Sequence, residues 1–324
     1  MTTRPTYGHR GHGAADGTRA ADGARAADGE PGALITTDGQ LQWARLLLGP
    51  GTDFWIAAEG LTGWEELPGL ESSDANRPAG HGGWPGTQWA QPRTVTAQVW
   101  LAPDPDGGPE AALAALRALR SATAVRDDEQ WLAVRIHGET LAVRARVVQR
   151  VVPTDRQFLA TRLAKATLQW KAMDPRRYAS VARRATVGLP RREPGLTWPL
   201  AWPLNWGTPG AVGEVTVENT GSAPAHPLIS VTGPCAVPRL ALHDDGTWLE
   251  YGLTLSSGDV LEIDTADGTV LLNGTASRRH TATVGSAPEE LFTLAPGANR
   301  LSFRAESGDA DLASATVAWR SAEW

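Results

Sequence analysis

A two-residue alternation of apolar and polar side chains runs through most of the sequence and predicts half-buried β-strands. Leu141, Val143, Ala145, Val147 and Val151 fall on one face of a strand, with Arg144, Arg146 and Arg150 on the other. Leu168 and Trp170 oppose Lys165, Thr167 and Gln169 within a strand read over Leu159 to Met173. Further strands are expected over Leu41 to Leu48, Asp53 to Ala58 and Arg93 to Leu101. Trp131 to Ile136 and Thr140 to Val152 read as a hairpin around His137-Gly138-Glu139. Towards the end of the chain Val215 and Val217 alternate with Glu214, Thr216 and Glu218, and Leu301, Phe303 and Ala305 with Arg300, Ser302, Arg304 and Glu306. Ala315, Val317 and Trp319 repeat the pattern, and Asp245-Gly246, Ser257-Gly258, Asp267-Gly268 and Asn273-Gly274 supply tight turns. The period changes once: Leu113, Leu116 and Leu119 fit a helix over Ala111 to Arg120, with Pro109 and Glu110 suited to its first turn. The fold class is mainly β, with two sandwich-like or barrel-like domains and one α-helix inserted in the first.

The patterning divides the chain. Residues 1–33 hold a six-residue repeat (Ala14-Ala15-Asp16-Gly17-Thr18-Arg19 and two successors) without large apolar side chains, and read as a disordered tail. A first domain spans 34–190, and residues 65–92 form a long Gly-, Pro- and Trp-containing loop within it. Residues 191–212 form a linker in which Trp198, Trp202 and Trp206 recur every fourth residue among prolines. Such indoles are expected in grooves of the flanking domains, as an interdomain strap. A second domain covers 213–324.

Composition narrows the function. The 324 residues carry a formal charge of −6, which argues against a protein that grips nucleic acid. No apolar run reaches the length of a membrane span, and no apolar segment marks a signal peptide at the N-terminus. The single Cys235 reads as a small buried hydrophobe. Tryptophan is enriched, 14 against 4 Phe and 3 Tyr, as at interfaces and in sugar-binding modules.

Catalytic signatures are missing. There is no phosphate-binding glycine loop, dinucleotide fingerprint or nucleophile elbow. His9 and His12 lie in the tail, and His81, His137, His226, His243 and His280 are scattered without metal-ligand spacing. Glu65-Glu66 and Asp127-Asp128-Glu129 are the nearest approach to a glycosidase carboxylate pair, but neighbours on a strand point to opposite faces. No catalytic, cofactor or metal residues are assigned. Two sets remain as subunit-contact candidates: Asp74, Arg77, His81 and Trp84 in the long loop, and Arg144, Arg146 and Arg150 on their strand.

Four blocks resemble the distal tail (Dit) proteins of long-tailed phages, in order. They are Arg77 to Gly86 leading to Pro92-Arg93-Thr94-Val95; Met173-Asp174-Pro175-Arg176-Arg177-Tyr178; the strap from Trp198 to Trp206; and Ile263 to Gly274 with Pro296-Gly297-Ala298-Asn299. The resemblance implies a galectin-like second domain and a non-enzymatic virion protein at the tail tip, made in the host cytoplasm. It also implies a homo-oligomeric, hexameric ring that continues the tail tube, passes DNA through its lumen, and anchors baseplate, hub or receptor-binding proteins. The alternative is a carbohydrate-binding module, for which Trp248 beside Glu250, or Trp319, is the indole candidate. A glycoside hydrolase is the remaining reading.

Overall fold

The computed structural model describes residues 30–191 and 212–324. The hexad repeat and Trp198, Trp202 and Trp206 lie outside the described residues. Glu30 to Ala33, read with the tail, belong to the folded domain: Ala33 N–H closes a turn on the Glu30 carbonyl at 3.2 Å, and Pro31 is buried.

The chain is mainly β. Its first part contains β1 (Leu41–Trp43), β2 (Leu46–Leu48), β3 (Phe54–Thr62), β4 (Leu70–Ser72), β5 (Ala75–Asn76), β6 (Gly83–Trp84), β7 (Gln88–Ala90), β8 (Arg93–Leu101), α1 (Gly108–Ala122), β9 (Gln130–Ile136), β10 (Glu139–Val151), α2 (Arg156–Thr161), β11 (Ala164–Ala172) and β12 (Arg177–Ala179). Its second part contains β13 (Arg183–Gly188), β14 (Glu214–Asn219), β15 (Leu228–Thr232), β16 (Cys235–Ala236), β17 (Arg239–Leu242), β18 (Trp248–Glu250), β19 (Thr254–Leu255), β20 (Val260–Asp264), β21 (Thr269–Leu272), β22 (Ala276–Ser277), β23 (Gly297–Arg304), β24 (Ser307–Gly308), β25 (Ser314–Trp319) and β26 (Ala322–Glu323).

In the first part the strands run β2-β1-β9-β10-β11-β8-β3, all antiparallel. The Gly49 N–H bonds the Phe54 carbonyl at 2.6 Å, so the two end strands meet through their turn and the sheet curls towards a barrel. Trp43 and Trp170 sit 5.9 Å apart inside it, and α1 lays Ala115, Leu116 and Leu119 on the same core. In the second part a sheet ordered β13-β25-β15-β20-β21-β22 faces a sheet ordered β14-β23-β17-β18 across a core that includes Ile229, Val231, Leu261, Leu301, Phe303 and Val317. Alternating burial on β20, β23 and β25 is the physical basis of that core.

Several expectations are corrected. The stretch Leu41 to Leu48 is a tight hairpin, because Ala44 takes φ 50° between β1 and β2. The start of the strand read from Leu159 is instead α2, capped where the Asp155 carboxylate accepts from Phe158 N–H at 2.8 Å and ended by Arg162 at φ 60°. On β10 the pairing slips between Val147 and Gln149, so Val148 is an extra residue. Arg150 therefore lies opposite buried Leu168, on the core side, while Val151 lies opposite Thr167 on the outer side. One inserted residue exchanges the faces of everything beyond it.

The largest correction concerns the division of the chain. Strand β13, read with the first domain, pairs along its whole length with β25, and Val187 and Leu189 join the second core. After the undescribed residues the chain re-enters the same domain, where the Gly213 carbonyl accepts from Phe303 N–H at 2.9 Å. The segment read as an interdomain linker thus leaves and rejoins one domain. The crossing between domains is the short stretch 180–182 between β12 and β13.

Gly63 has a sharp local requirement. It takes φ 79°, and a Cβ there would overlap the Thr94 carbonyl. Gly63→Ala is expected to destabilise the protein by about 2–3 kcal/mol, more than the conformational term alone, as read from urea midpoints.

Candidate functional site

Two of the sequence blocks, some eighty residues apart, meet at the junction between the domains. Arg93 opens β8 and is 1% exposed. Its Nε donates to the Pro175 carbonyl at 2.7 Å, and one terminal nitrogen donates to the carbonyls of Gly63, Trp64 and Glu66 at 2.9, 2.9 and 2.7 Å. Burial and the nearby Arg177 charge work against its ionisation, and Glu65 and Glu66 work for it. Its guanidinium joins the root of the 65–92 segment to the end of the domain.

Asp174 organises Arg176 and Tyr178. Its carboxylate accepts from Arg176 Nε and a terminal nitrogen, each at 2.8 Å, from Arg176 N–H at 3.1 Å and from the Tyr178 hydroxyl at 2.5 Å. Burial alone would raise its pKa, but the hydrogen bonds and charge of Arg176, with Tyr178, hold it below the ordinary carboxylate range. Arg176 also donates to the Pro224 carbonyl at 2.9 Å, and Arg177 to the Trp324 carbonyl at 2.7 Å. Strand β12 pairs with β26, so the backbone itself joins the first domain's sheet to the end of the second domain. Arg320 bonds the carbonyls of Ala179 and Ser180 and lies over the Trp131 ring at 5.7 Å. Asn219 is fully buried and satisfied: it donates to Ala223 and Leu294 carbonyls and accepts from Gly221 and Ala322 N–H groups. Arg320 and Asn219 were not singled out from sequence; their partners lie up to 141 positions away.

His226 stands beside this junction. Burial first, then the Arg176 charge, pushes its pKa below 6.5 against the opposing pull of Asp174 and Asp267. The folded state therefore binds fewer protons than the unfolded chain below pH 6.5, and stability falls as pH drops through that value. Asp174 adds a loss of the same sign only below its unfolded pKa of 3.8. The melting temperature is expected to decline from pH 7 to pH 5, and to decline less in His226→Gln, measured by calorimetry across that range.

The subunit-contact candidates fall into two places. Residues 65–92, read as a loop, form a projecting two-tier hairpin, with β4 on β7 and β5 on β6. Asp74 holds the bend by accepting from Gly86 N–H at 2.6 Å and from the Ser72 hydroxyl at 2.9 Å, and these bonds keep its pKa low. Arg77 lies over the Trp84 ring at 5.8 Å, and His81 is exposed at the tip. This arm leaves Leu70, Trp84 and Trp89 each more than half exposed. The arginines of β10 do not act as one set. Arg144 lies over Trp131 and donates to the Glu129 carbonyl at 2.9 Å. Arg150 donates to the Thr123 hydroxyl at 2.8 Å, at the C-terminal end of α1. Arg146 remains exposed on the outer face.

Other candidates find structural settings. Trp248 carries the Arg239 guanidinium 4.2 Å over its ring, and Gly285 lies close beside the same indole; Trp319 is 7% exposed and donates to the Glu218 carbonyl. Neither offers the open platform that a sugar ring requires. Glu65 pairs with Arg177 at 2.8 Å. Among the described residues no group of three His, Cys, Asp or Glu side chains converges as a metal site, and no helix is long and apolar enough to cross a membrane. Two open grooves flank the irregular middle of β3: a polar one of about 370 Å³ beside Glu59, Gln98 and Lys165, and an apolar one of about 380 Å³ beside Trp55, Leu61 and Ile136.

The turn residues of the fourth block have defined work. Asn299 accepts from Ala295 N–H and donates to the Ala295 and Gly297 carbonyls at 2.8, 2.8 and 3.0 Å. Asn273, at φ 51°, accepts from Val260 N–H at 2.9 Å. Gly268 leaves room for Glu290, which with buried Glu289 pairs Arg279.

Comparison with known proteins by family model reaches the fourth block alone. Residues 220–322 match the family model for the C-terminal domain of siphovirus-type tail components. No curated protein sequence matches the chain. Among solved structures, the crystal structure of SPP1 Dit (gp 19.1), described as a paradigm of the hub adsorption apparatus in phages infecting Gram-positive bacteria, superposes with a TM-score of 0.59. That likeness covers 87% of this chain and 98% of SPP1 Dit at 13% identity. A chain of the phage P2 baseplate in its activated conformation gives a TM-score of 0.48 at 8% identity over 86% of this chain and 97% of that one, too slight a likeness to bear on the fold. Residues 220–322 thus resemble the C-terminal domain of siphovirus-type tail components, set in a chain whose fold is that of SPP1 Dit.

Proposed function

We propose that this chain is a structural virion subunit at the distal end of a phage tail, where copies of it assemble into a closed, hexameric ring. The ring continues the tail tube, lets DNA pass through its lumen, and presents the second, galectin-like domain outward to anchor hub, baseplate or receptor-binding proteins. The observation that carries this reading is the projecting arm of residues 65–92 on a chain with the Dit fold. An isolated two-stranded ribbon is marginal in water. One whose indoles stay exposed is built to lie against a neighbour. The guanidinium-rich junction supports the same role, since a subunit that transmits position from tube to receptor-binding parts needs its two domains held in one geometry. The role is read as structural and non-enzymatic on the likeness to tail components. Gold-labelled antibody against the second domain tests the location: label at one tip of the tail is expected, and label along the tube or on the capsid contradicts it.

A further inference from the structure

Arg146 on β10 and Lys171 on β11 are direct cross-strand partners on the exposed face of the first domain's sheet. Like charges so placed repel at a Cβ separation of about 5 Å. Among the described residues no carboxylate pairs with either. The chain's other lysine, Lys165, is neutralised by Glu59 at 2.5 Å, while Arg144 and Arg150 are engaged as described above. The row is bordered along β10 by Val148, 52% exposed, and two residues beyond Lys171 by Met173, 50% exposed. It is a short cationic pair with apolar margins. Its repulsion is relieved when a carboxylate lies across it.

The arm has the matching chemistry. Glu71 and Trp89 are cross-strand partners on one face of the β4–β7 ribbon, so a carboxylate stands beside an indole that is 56% exposed. With Glu66 and ionised Asp74 against Arg77 alone, the segment is acidic. We infer that the Glu71–Trp89 face of the arm lies on the Arg146–Lys171 row of the next copy of this chain. The inference rests on the ring proposed above, because a head-to-tail ring joins two different faces of one subunit. The row is too short to follow a phosphate backbone: uncharged Thr96, Gln98, Thr167 and Gln169 separate it on that face from Lys165, which Glu59 already pairs.

Sedimentation velocity on the full chain decides the matter with five proteins: native, Arg146→Glu with Lys171→Glu, Glu71→Arg, Trp89→Ala, and the three charge changes combined. Each one-sided variant is expected to raise the concentration for half-assembly by about tenfold or more, with its melting temperature unchanged. The combined variant is expected to recover assembly. If the native protein forms rings and the reversed row assembles at the same concentration, the inference is overturned while the ring stands. If the reversed row keeps assembly and loses only affinity for duplex DNA, the row faces phosphate and the inference is equally overturned. If the native protein stays monomeric, the ring reading falls and takes this contact with it.

Discussion

Replacing Arg93 with alanine is expected to lower the unfolding free energy by about 4 kcal/mol, the largest loss of any single polar substitution in the molecule. The guanidinium is 1% exposed and supplies four carbonyls in two separate pieces of chain: Gly63, Trp64 and Glu66 in one, and Pro175 in the other. Removing it strands those acceptors in a cavity that water refills only in part. Lysine is not expected to rescue the site, because one ammonium cannot reproduce a planar fork that reaches carbonyls on opposite sides. The predicted effect is a fall in melting temperature of roughly 10 °C for alanine and nearly as much for lysine, measured by calorimetry. A fall of under about 2 °C would mean that the four carbonyls are satisfied without Arg93.

Excising residues 69–91 and closing the gap with a short Gly-Ser bridge is expected to have the opposite profile. No residue of that span belongs to the buried core, and its hydrogen bonds run within itself, such as Ser73 N–H to Thr87 carbonyl at 3.1 Å and Gln91 N–H to Gly69 carbonyl at 2.6 Å. The melting temperature should therefore stay within about 2 °C of native, since little buried apolar area is lost. Assembly, by contrast, should vanish at every accessible concentration, because the arm is the element that reaches a neighbour. Sedimentation velocity beside calorimetry separates the two readouts. An armless chain that still forms rings would remove the arm from the interface.

How much of this was legible in the sequence varied with the physics involved. The alternation of β8, β11 and β25 was readable because each buries one face, and the helix because three leucines fall on one stripe. The arm was not, since its Gly, Pro and Asn residues make turns that erase any period, and its indoles face solvent on a ribbon with no core to pattern them. The face of Arg150 was misread because a bulge at Val148 leaves no mark in the spacing that precedes it. The domain boundary was drawn at the conspicuous Trp-Pro segment, whereas the true crossing at 180–182 is short and compositionally plain. The Asp174 to Tyr178 block is legible as a local pattern, and Arg93 as the start of a strand. That the two meet through the Pro175 carbonyl is a tertiary fact with no local signature.

Purified full-length protein examined by negative-stain electron microscopy tests the central claim most directly. The account predicts closed rings with a central opening and peripheral lobes, one lobe for each second domain. Isolated two-lobed protomers at every concentration tried would contradict it.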